Sequence, residues 1–207
     1  MKSLIEVMKD RGINDQAVLE AIEKVDRINF VPEAFKHCAY SDMPVPIGSG
    51  QTISQPSVVG LMTKELEVEN THRVLEIGTG SGYLTAVLSH LAKHVYSVER
   101  IKRLHLQAKN LILNQLKRRN ISFVLSDGML GLPDAAPFDR IIISAASKEV
   151  PRKLLNQLKV NGIMVLPVVE NEWQQKLVII KKTEPEIEFI EIGPVRFVPL
   201  LEGVVLN

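Results

Sequence analysis

Cysteine and tryptophan each occur once among the 207 residues, as Cys38 and Trp173, and aromatic residues make up only 5% of the chain. A single cysteine excludes an internal disulfide, and with it the small stapled scaffolds of secreted proteins. No apolar run approaches the ~20 residues of a membrane span. The opening Met1-Lys2-Ser3-Leu4-Ile5-Glu6 is too polar for a secretory signal, because Glu6, Lys9 and Asp10 interrupt any apolar stretch. An excess of charge is missing too: 25 basic against 24 acidic residues leave a formal net charge of +1. Such a balance provides no global field that would favour nucleic acid or an anionic membrane. The basic clusters Lys102-Arg103 and Lys117-Arg118-Arg119 fall on or beside a predicted helix and read as solvated faces. His37, His72, His90, His94 and His105 are scattered without ligand spacing, so no metal site is expected. A cytoplasmic, monomeric protein that binds neither membrane nor nucleic acid is the expectation.

The residues that are present give an ordinary apolar fraction, 45%, enough for one well-buried domain. Leu4, Ile5 and Met8, then Val18, Leu19, Ile22 and Val25, are spaced for two short amphipathic helices, the second started by Asn14 or Asp15. From Val74 onward, strands and helices alternate. A strand at 74–77 precedes a helix over 81–93, a strand over 95–98, a helix over about 101–117 and a strand over 121–125. Ile141-Ile142-Ile143 reads as a fully buried strand, Pro151 as the first turn of a helix, and Gly162 to Leu166 as a fifth strand. Leu177 to Ile180 and Val195 to Val198 are expected as antiparallel edge strands. The pattern predicts a Rossmann-like, doubly wound, mostly parallel α/β sheet with helices on both faces and an N-terminal helical extension. Within one domain over 1–207, the expected parts are 1–57 (helices and a loop), 58–168 (core) and 169–207 (C-terminal strands).

Between Ile77 and Tyr83 the chain reads Gly78-Thr79-Gly80-Ser81-Gly82, joining a strand to a helix N-terminus. Glycine lets a ligand approach the main chain and permits positive φ. The spacing lacks the third glycine of a dinucleotide fingerprint and the Lys-Ser/Thr of a phosphate loop. The next strand ends in Glu99, about 20 residues on, where a carboxylate can accept from both ribose hydroxyls. A third strand delivers Ser126-Asp127-Gly128.

The string Glu76-Ile77-Gly78-Thr79-Gly80-Ser81-Gly82 resembles the first motif of the class I S-adenosylmethionine-dependent methyltransferases, in which an acidic residue precedes the glycines. That resemblance implies a cofactor site built from Glu76, Gly78, Thr79, Gly80, Gly82 and Glu99, with Asp127 and Gly128 against the adenine. A more specific string, Gly48-Ser49-Gly50-Gln51-Thr52-Ile53-Ser54-Gln55-Pro56, is similar to the signature of the protein-L-isoaspartate O-methyltransferases. The stretches Asp26 to Pro32, Pro137 to Ile142 and Val195 to Leu200 look like the same family, so the resemblance covers essentially the whole chain. Two positions depart from it. Ser126 stands where glycine is common, and Val169 where Pro-Val-Gly is usual.

The family implies methyl transfer from S-adenosyl-L-methionine to the α-carboxylate of L-isoaspartyl residues in damaged proteins and peptides, releasing S-adenosyl-L-homocysteine. The ester then closes without enzyme to a succinimide. By the same resemblance Ser54 is the active-site serine, Gln51, Thr52 and Ile53 line the cofactor, and Thr52 and Ser54 face the substrate. Val195, Arg196, Phe197 and Val198 would hold the substrate main chain through backbone groups. An ionised carboxylate is already a nucleophile, so orientation matters more than a base. A nucleophilic serine would need an adjacent base, and none is evident. Two other readings share parts of the pattern: a class I methyltransferase acting on RNA or a small molecule, and a non-catalytic peptide-binding module.

Overall fold

The computed structural model describes residues 3–206. Two amphipathic helices come first, α1 (Leu4–Asp10) and α2 (Gln16–Glu23). Each begins on a side-chain cap: Ser3 and Glu6 form a reciprocal capping box, and the Asp15 carboxylate accepts from the Val18 amide at 2.9 Å. Asp15 is therefore the cap that the sequence left open against Asn14. Two 3-10 turns, Arg27–Phe30 and Glu33–Cys38, lead to a hairpin of β1 (Val45–Gly48) and β2 (Gln51–Ile53), then to α3 (Pro56–Glu65). The glycines and prolines of this stretch read as an irregular loop, yet Val45 pairs with Ile53 and Pro46 with Thr52. Proline is tolerated because an isolated two-stranded ribbon has a free edge on each side.

The core follows as β3 (Arg73–Ile77), α4 (Tyr83–Leu91), β4 (His94–Glu99), α5 (Lys102–Asn110) and β5 (Ile121–Leu125). It continues with β6 (Phe138–Ile143), α6 (Arg152–Asn156), β7 (Leu158–Val169), β8 (Gln175–Lys182) and β9 (Ile187–Val195). The helix expected over 101–117 is α-helical only to Asn110 and widens into a π turn over Leu111–Gln115. These strands form one seven-stranded sheet in the order β5-β4-β3-β6-β7-β8-β9, parallel as far as β7 and antiparallel beyond it. The last edge strand therefore lies over 187–195, upstream of the stretch expected to form it. Residues 196–198 leave the sheet, bounded by Pro194 and Pro199, which have no N–H to give a ladder.

Alternation along the buried strands divides the apolar side chains between the two faces. Val74, Ile142, Ile163, Val165, Leu177 and Ile179 join one cluster with residues of α1 to α5. Leu75, Ile77, Ile141, Ile143, Met164, Leu166, Val178 and Ile180 form the other, with Leu154 of α6. The strand order reverses between β3 and β6, and the loops at the carboxyl ends of these strands open a crevice there.

Arg27 ties the N-terminal helices to that crevice. It is fully buried, its Nε donates to the Ala39 carbonyl at 3.0 Å and its Nη2 to the Ser54 carbonyl at 2.9 Å. The guanidinium carbon lies 5.0 Å from the centre of the Tyr83 ring. Burial pulls its pKa down to about 10, which leaves it cationic at neutral pH. Arg27→Ala would open a cavity and strip two carbonyls of their donor, so the expected loss of unfolding free energy is about 3 kcal/mol or more. Urea denaturation measures it; a loss below about 1 kcal/mol would show that the guanidinium is not a structural tie.

Candidate active site

Between the end of β3 and the start of α4 the chain turns through Gly78, Gly80 and Gly82 with φ of 94°, 54° and 87°. At Gly82 a side chain would be strained twice: φ is left-handed, and a Cβ would come within 2.8 Å of Ile112 Cδ1. The Gly78 amide donates to the Val98 carbonyl at 2.8 Å, which stitches the loop to the end of β4. Glu99 completes the stitch. One of its carboxylate oxygens accepts from the Gly80 amide at 2.8 Å and the other from the Ile101 amide at 2.9 Å.

Two adjoining cavities open over these loops. The first encloses about 920 Å³ of non-atom space, counting its open mouth. Gln51, Thr52, Ile53 and Ser54 line it from the hairpin side, and Gly78, Thr79, Gly80, Glu99 and Gly128 from the sheet side. Its roof is the C-terminal segment. Ala146 accepts there from the Leu200 amide and donates its own amide to the Val198 carbonyl, at 2.8 Å each, and Arg100 donates to the carbonyls of Glu202 and Gly203 at 3.0 Å each. The second cavity is a groove bounded by Val195, Arg196, Phe197 and Val198 on one side and by Pro44, Gln55 and Val58 on the other. Thr52, Ser54, Ser144 and Val198 line both, so the two cavities join at three hydroxyl side chains.

Ser54 occupies the short link between β2 and α3, held by its carbonyl bond to Arg27. Asp42 braces the next residues, accepting from the Gln55 side chain and the Ser57 amide at 2.9 Å each. From above, Arg103 on α5 donates to the Ile47 carbonyl at 3.1 Å and to the Ser49 hydroxyl at 3.3 Å, which ties down the tip of the hairpin.

Over residues 1–205 the chain matches the family model for protein-L-isoaspartate(D-aspartate) O-methyltransferase. The chain belongs to that family. It is 53% identical over 197 residues to a protein-L-isoaspartate O-methyltransferase of Ruegeria pomeroyi, covering 95% of this chain and 91% of the relative. A second such enzyme, from another Ruegeria strain, is 52% identical with the same coverage. The crystal structure of a Plasmodium falciparum protein-L-isoaspartate O-methyltransferase in complex with S-adenosyl-L-homocysteine superposes with a TM-score of 0.84 at 28% identity. That match covers 97% of this chain and 99% of the other.

Within this isoaspartate O-methyltransferase family member, three residues expected at the cofactor do not line the cleft. Gly82 packs behind it against α5. Asp127 has both oxygens engaged, one on the Met129 amide and the other on the Gly203 amide at 2.8 Å each, so it latches the C-terminal roof. Glu76 shares the face of β3 that α4 covers and is completely buried. One of its oxygens accepts from Thr85 Oγ1 at 2.5 Å and from Ser97 Oγ at 2.6 Å, and Thr79 Oγ1 lies 2.5 Å from Ser97 Oγ. Glu76 thus supports the glycine loop from beneath. Phe197 is also corrected in part. Its amide and carbonyl both bond to the Gln175 side chain, at 2.7 and 3.1 Å, and so are not free for a substrate backbone.

Several members of the site were not picked out from the sequence. Ser144 directly follows β6 beside the switch point, and its position at the carboxyl end of a buried strand was the available signal. Arg27 lay in a stretch resembling the family without any cue to its role. Asp42 and Gln175 act through side-chain bonds to distant backbone, which spacing does not report.

Burial raises the Glu76 pKa from the ordinary 4.5 to about 7; the Ser97 and Thr85 bonds oppose the rise and the nearby Glu99 charge adds to it. The folded protein therefore holds this proton more tightly than the unfolded chain. That contribution to stability is full below pH 4.5 and is lost as the pH rises through about 7. Glu76→Gln, which keeps the shape and removes the titration, should flatten the fall in denaturation midpoint between pH 4.5 and 7. Parallel slopes for wild type and variant would remove Glu76 as the titrating group.

Proposed function

We propose that the joined cavities carry out methyl transfer from S-adenosyl-L-methionine to the α-carboxylate of L-isoaspartyl residues, with Ser54 orienting that carboxylate. The observation that carries this reading is the junction itself, where Thr52, Ser54 and Ser144 meet between a cleft lined by the glycine loop and an open groove. The residues fit the cofactor. Gly78 and Gly80 bring bare backbone to the cleft, and Glu99 sits at the strand end where its free lone pairs suit a ribose diol. Ile77, Val98 and Ile101 supply apolar walls for a base. When bound, S-adenosyl-L-methionine supplies the electrophilic methyl group and its own leaving group.

The chain's residues then have a limited task. The acceptor carboxylate is ionised near neutral pH, so it needs no base and attacks as it stands. Its second oxygen must be held so that the first points at the methyl carbon. Neutral hydroxyls suit this work, because a strongly paired ammonium or guanidinium would lower the nucleophilicity of the carboxylate. Ser54 donates from the hairpin side and Ser144 from the sheet side. A carboxylate held by Ser54 and Ser144 would keep its other oxygen free for the methyl group that bound S-adenosyl-L-methionine would supply, the leaving group taking the electron pair of the broken bond. The roof over 198–205 limits water at the junction.

Arg196 is exposed at the groove and suits a polypeptide carrying acidic groups. The near-zero net charge and single half-buried Cys38 fit a cytoplasmic monomer that acts on polypeptides and not on nucleic acid. No helix among the described residues is long and apolar enough to cross a membrane.

Labelled methyl offered with paired isoaspartyl and aspartyl peptides should appear on the isoaspartyl peptide alone, as base-labile ester. Equal labelling of both, or of neither, would overturn the substrate assignment. Ser54→Ala should lower kcat about 10- to 100-fold, the loss of one hydrogen bond to a charged group, with the dissociation constant for S-adenosyl-L-homocysteine within about twofold. A parallel loss of cofactor affinity would show that Ser54 shapes the cleft and does not orient the acceptor.

A further inference from the structure

Beyond the acceptor groove the surface continues into a second depression, which shares Pro194 and Val195 with the groove and ends at Trp173. Trp173 is 89% exposed, the most exposed of the large apolar side chains. Its backbone, by contrast, is tied down. The Trp173 amide donates to Asn171 Oδ1 at 3.0 Å, Asn171 Nδ2 donates to Gln174 Oε1 at 2.8 Å, and the Glu170 amide donates to the Gln174 carbonyl at 2.9 Å. The turn between β7 and β8 is thus braced while its indole stands in solvent. Gln175, the next residue of this hairpin, holds both backbone groups of Phe197 at the acceptor groove. The aromatic platform and the groove wall are therefore one rigid unit.

We propose that the Trp173 face is a substrate subsite that takes an apolar or aromatic side chain flanking the isoaspartyl residue of a polypeptide; it rests on the function proposed above. Continuity decides the occupant. A polypeptide seated in the acceptor groove leaves it past Pro194 and Val195, and that exit leads onto the indole. A tryptophan on a braced backbone contributes a large contact area through only two side-chain torsions, the property that concentrates binding energy in such residues. The rim selects further. Lys176 is bonded to both Glu170, at 3.3 Å, and Glu191, at 2.5 Å, so two carboxylates face one ammonium and the rim disfavours acidic flanking residues.

The chain's sole tryptophan makes the test direct, because its emission reports this face alone. A short isoaspartyl peptide is compared with versions extended by leucine or phenylalanine on the N-terminal side, on the C-terminal side, or by glutamate at the same places. Methylation kinetics and Trp173 emission are read on each. One of the two apolar extensions should lower KM about tenfold and shift the emission, and glutamate should not. In Trp173→Ala the ratio of KM between short and extended peptides should fall to about one, with partial recovery in Trp173→Phe. The proposal is overturned if short and extended peptides share one KM, or if the ratio survives in Trp173→Ala. Emission that shifts with protein concentration in the absence of peptide overturns it as well, by giving the face to a second copy of the chain. Methylation of none of the peptides would instead remove the underlying function.

Discussion

The Glu99 carboxylate is the interaction on which the site depends. By accepting from the amides of Gly80 and Ile101 it locks the loop after β3 to the loop after β4. Each amide belongs to a chain segment leaving a parallel strand, where the ladder ends and backbone donors lose their partners. A charged acceptor at that point makes two bonds that are stronger than neutral ones. It also holds an acidic group at the floor of a cleft, an arrangement that costs solvation unless its oxygens are occupied. The same two bonds therefore fix the loops on either side of the cleft.

Glu76 shows how a neighbouring carboxylate two residues before the glycines serves a different end. It points into the α4 side of the sheet, where Thr85, Ser97 and Thr79 form a hydroxyl chain around it. Threonine and serine are well suited here, because each can both donate and accept and so pass the bond from α4 through β4 to the loop. An acid expected at the cofactor from its motif position here supports the loop through three other side chains. Two carboxylates thus hold the same turn, Glu76 from beneath and Glu99 at the cleft.

The alternation of strands and helices, both buried faces and the glycine loop were legible in the sequence because they arise from local periodicity. What was not legible depends on contacts across long separations. The hairpin of β1 and β2 carries prolines and glycines that read as a loop, and only its packing beneath Arg103 and beside Arg27 shows it as a fixed wall. The edge strand β9 exposes Ile187, Phe189 and Ile192, so its pattern lacks the clean contrast of a half-buried strand. Residues 195–198 are apolar enough to read as a strand, but the Phe197 amide and carbonyl are taken by the Gln175 side chain and the Val198 carbonyl by the Ala146 amide. Asp127, expected against the adenine from where it stands in sequence, also accepts from the Gly203 amide, 76 residues away, a contact that spacing does not report.

These contacts account for how the site can place one carboxylate accurately. The junction is built from hydroxyls on rigid supports: Ser54 on a link clamped by Arg27 and Asp42, Ser144 at the end of a fully buried strand. The groove wall at 195–198 is rigid for a separate reason, since Gln175 satisfies it internally. With the Phe197 amide and carbonyl both taken by Gln175, main-chain pairing with a substrate is interrupted at that residue. Recognition of the acceptor group then falls to the junction, where the hydroxyls are, and strictness toward that group follows from where these hydrogen bonds lie.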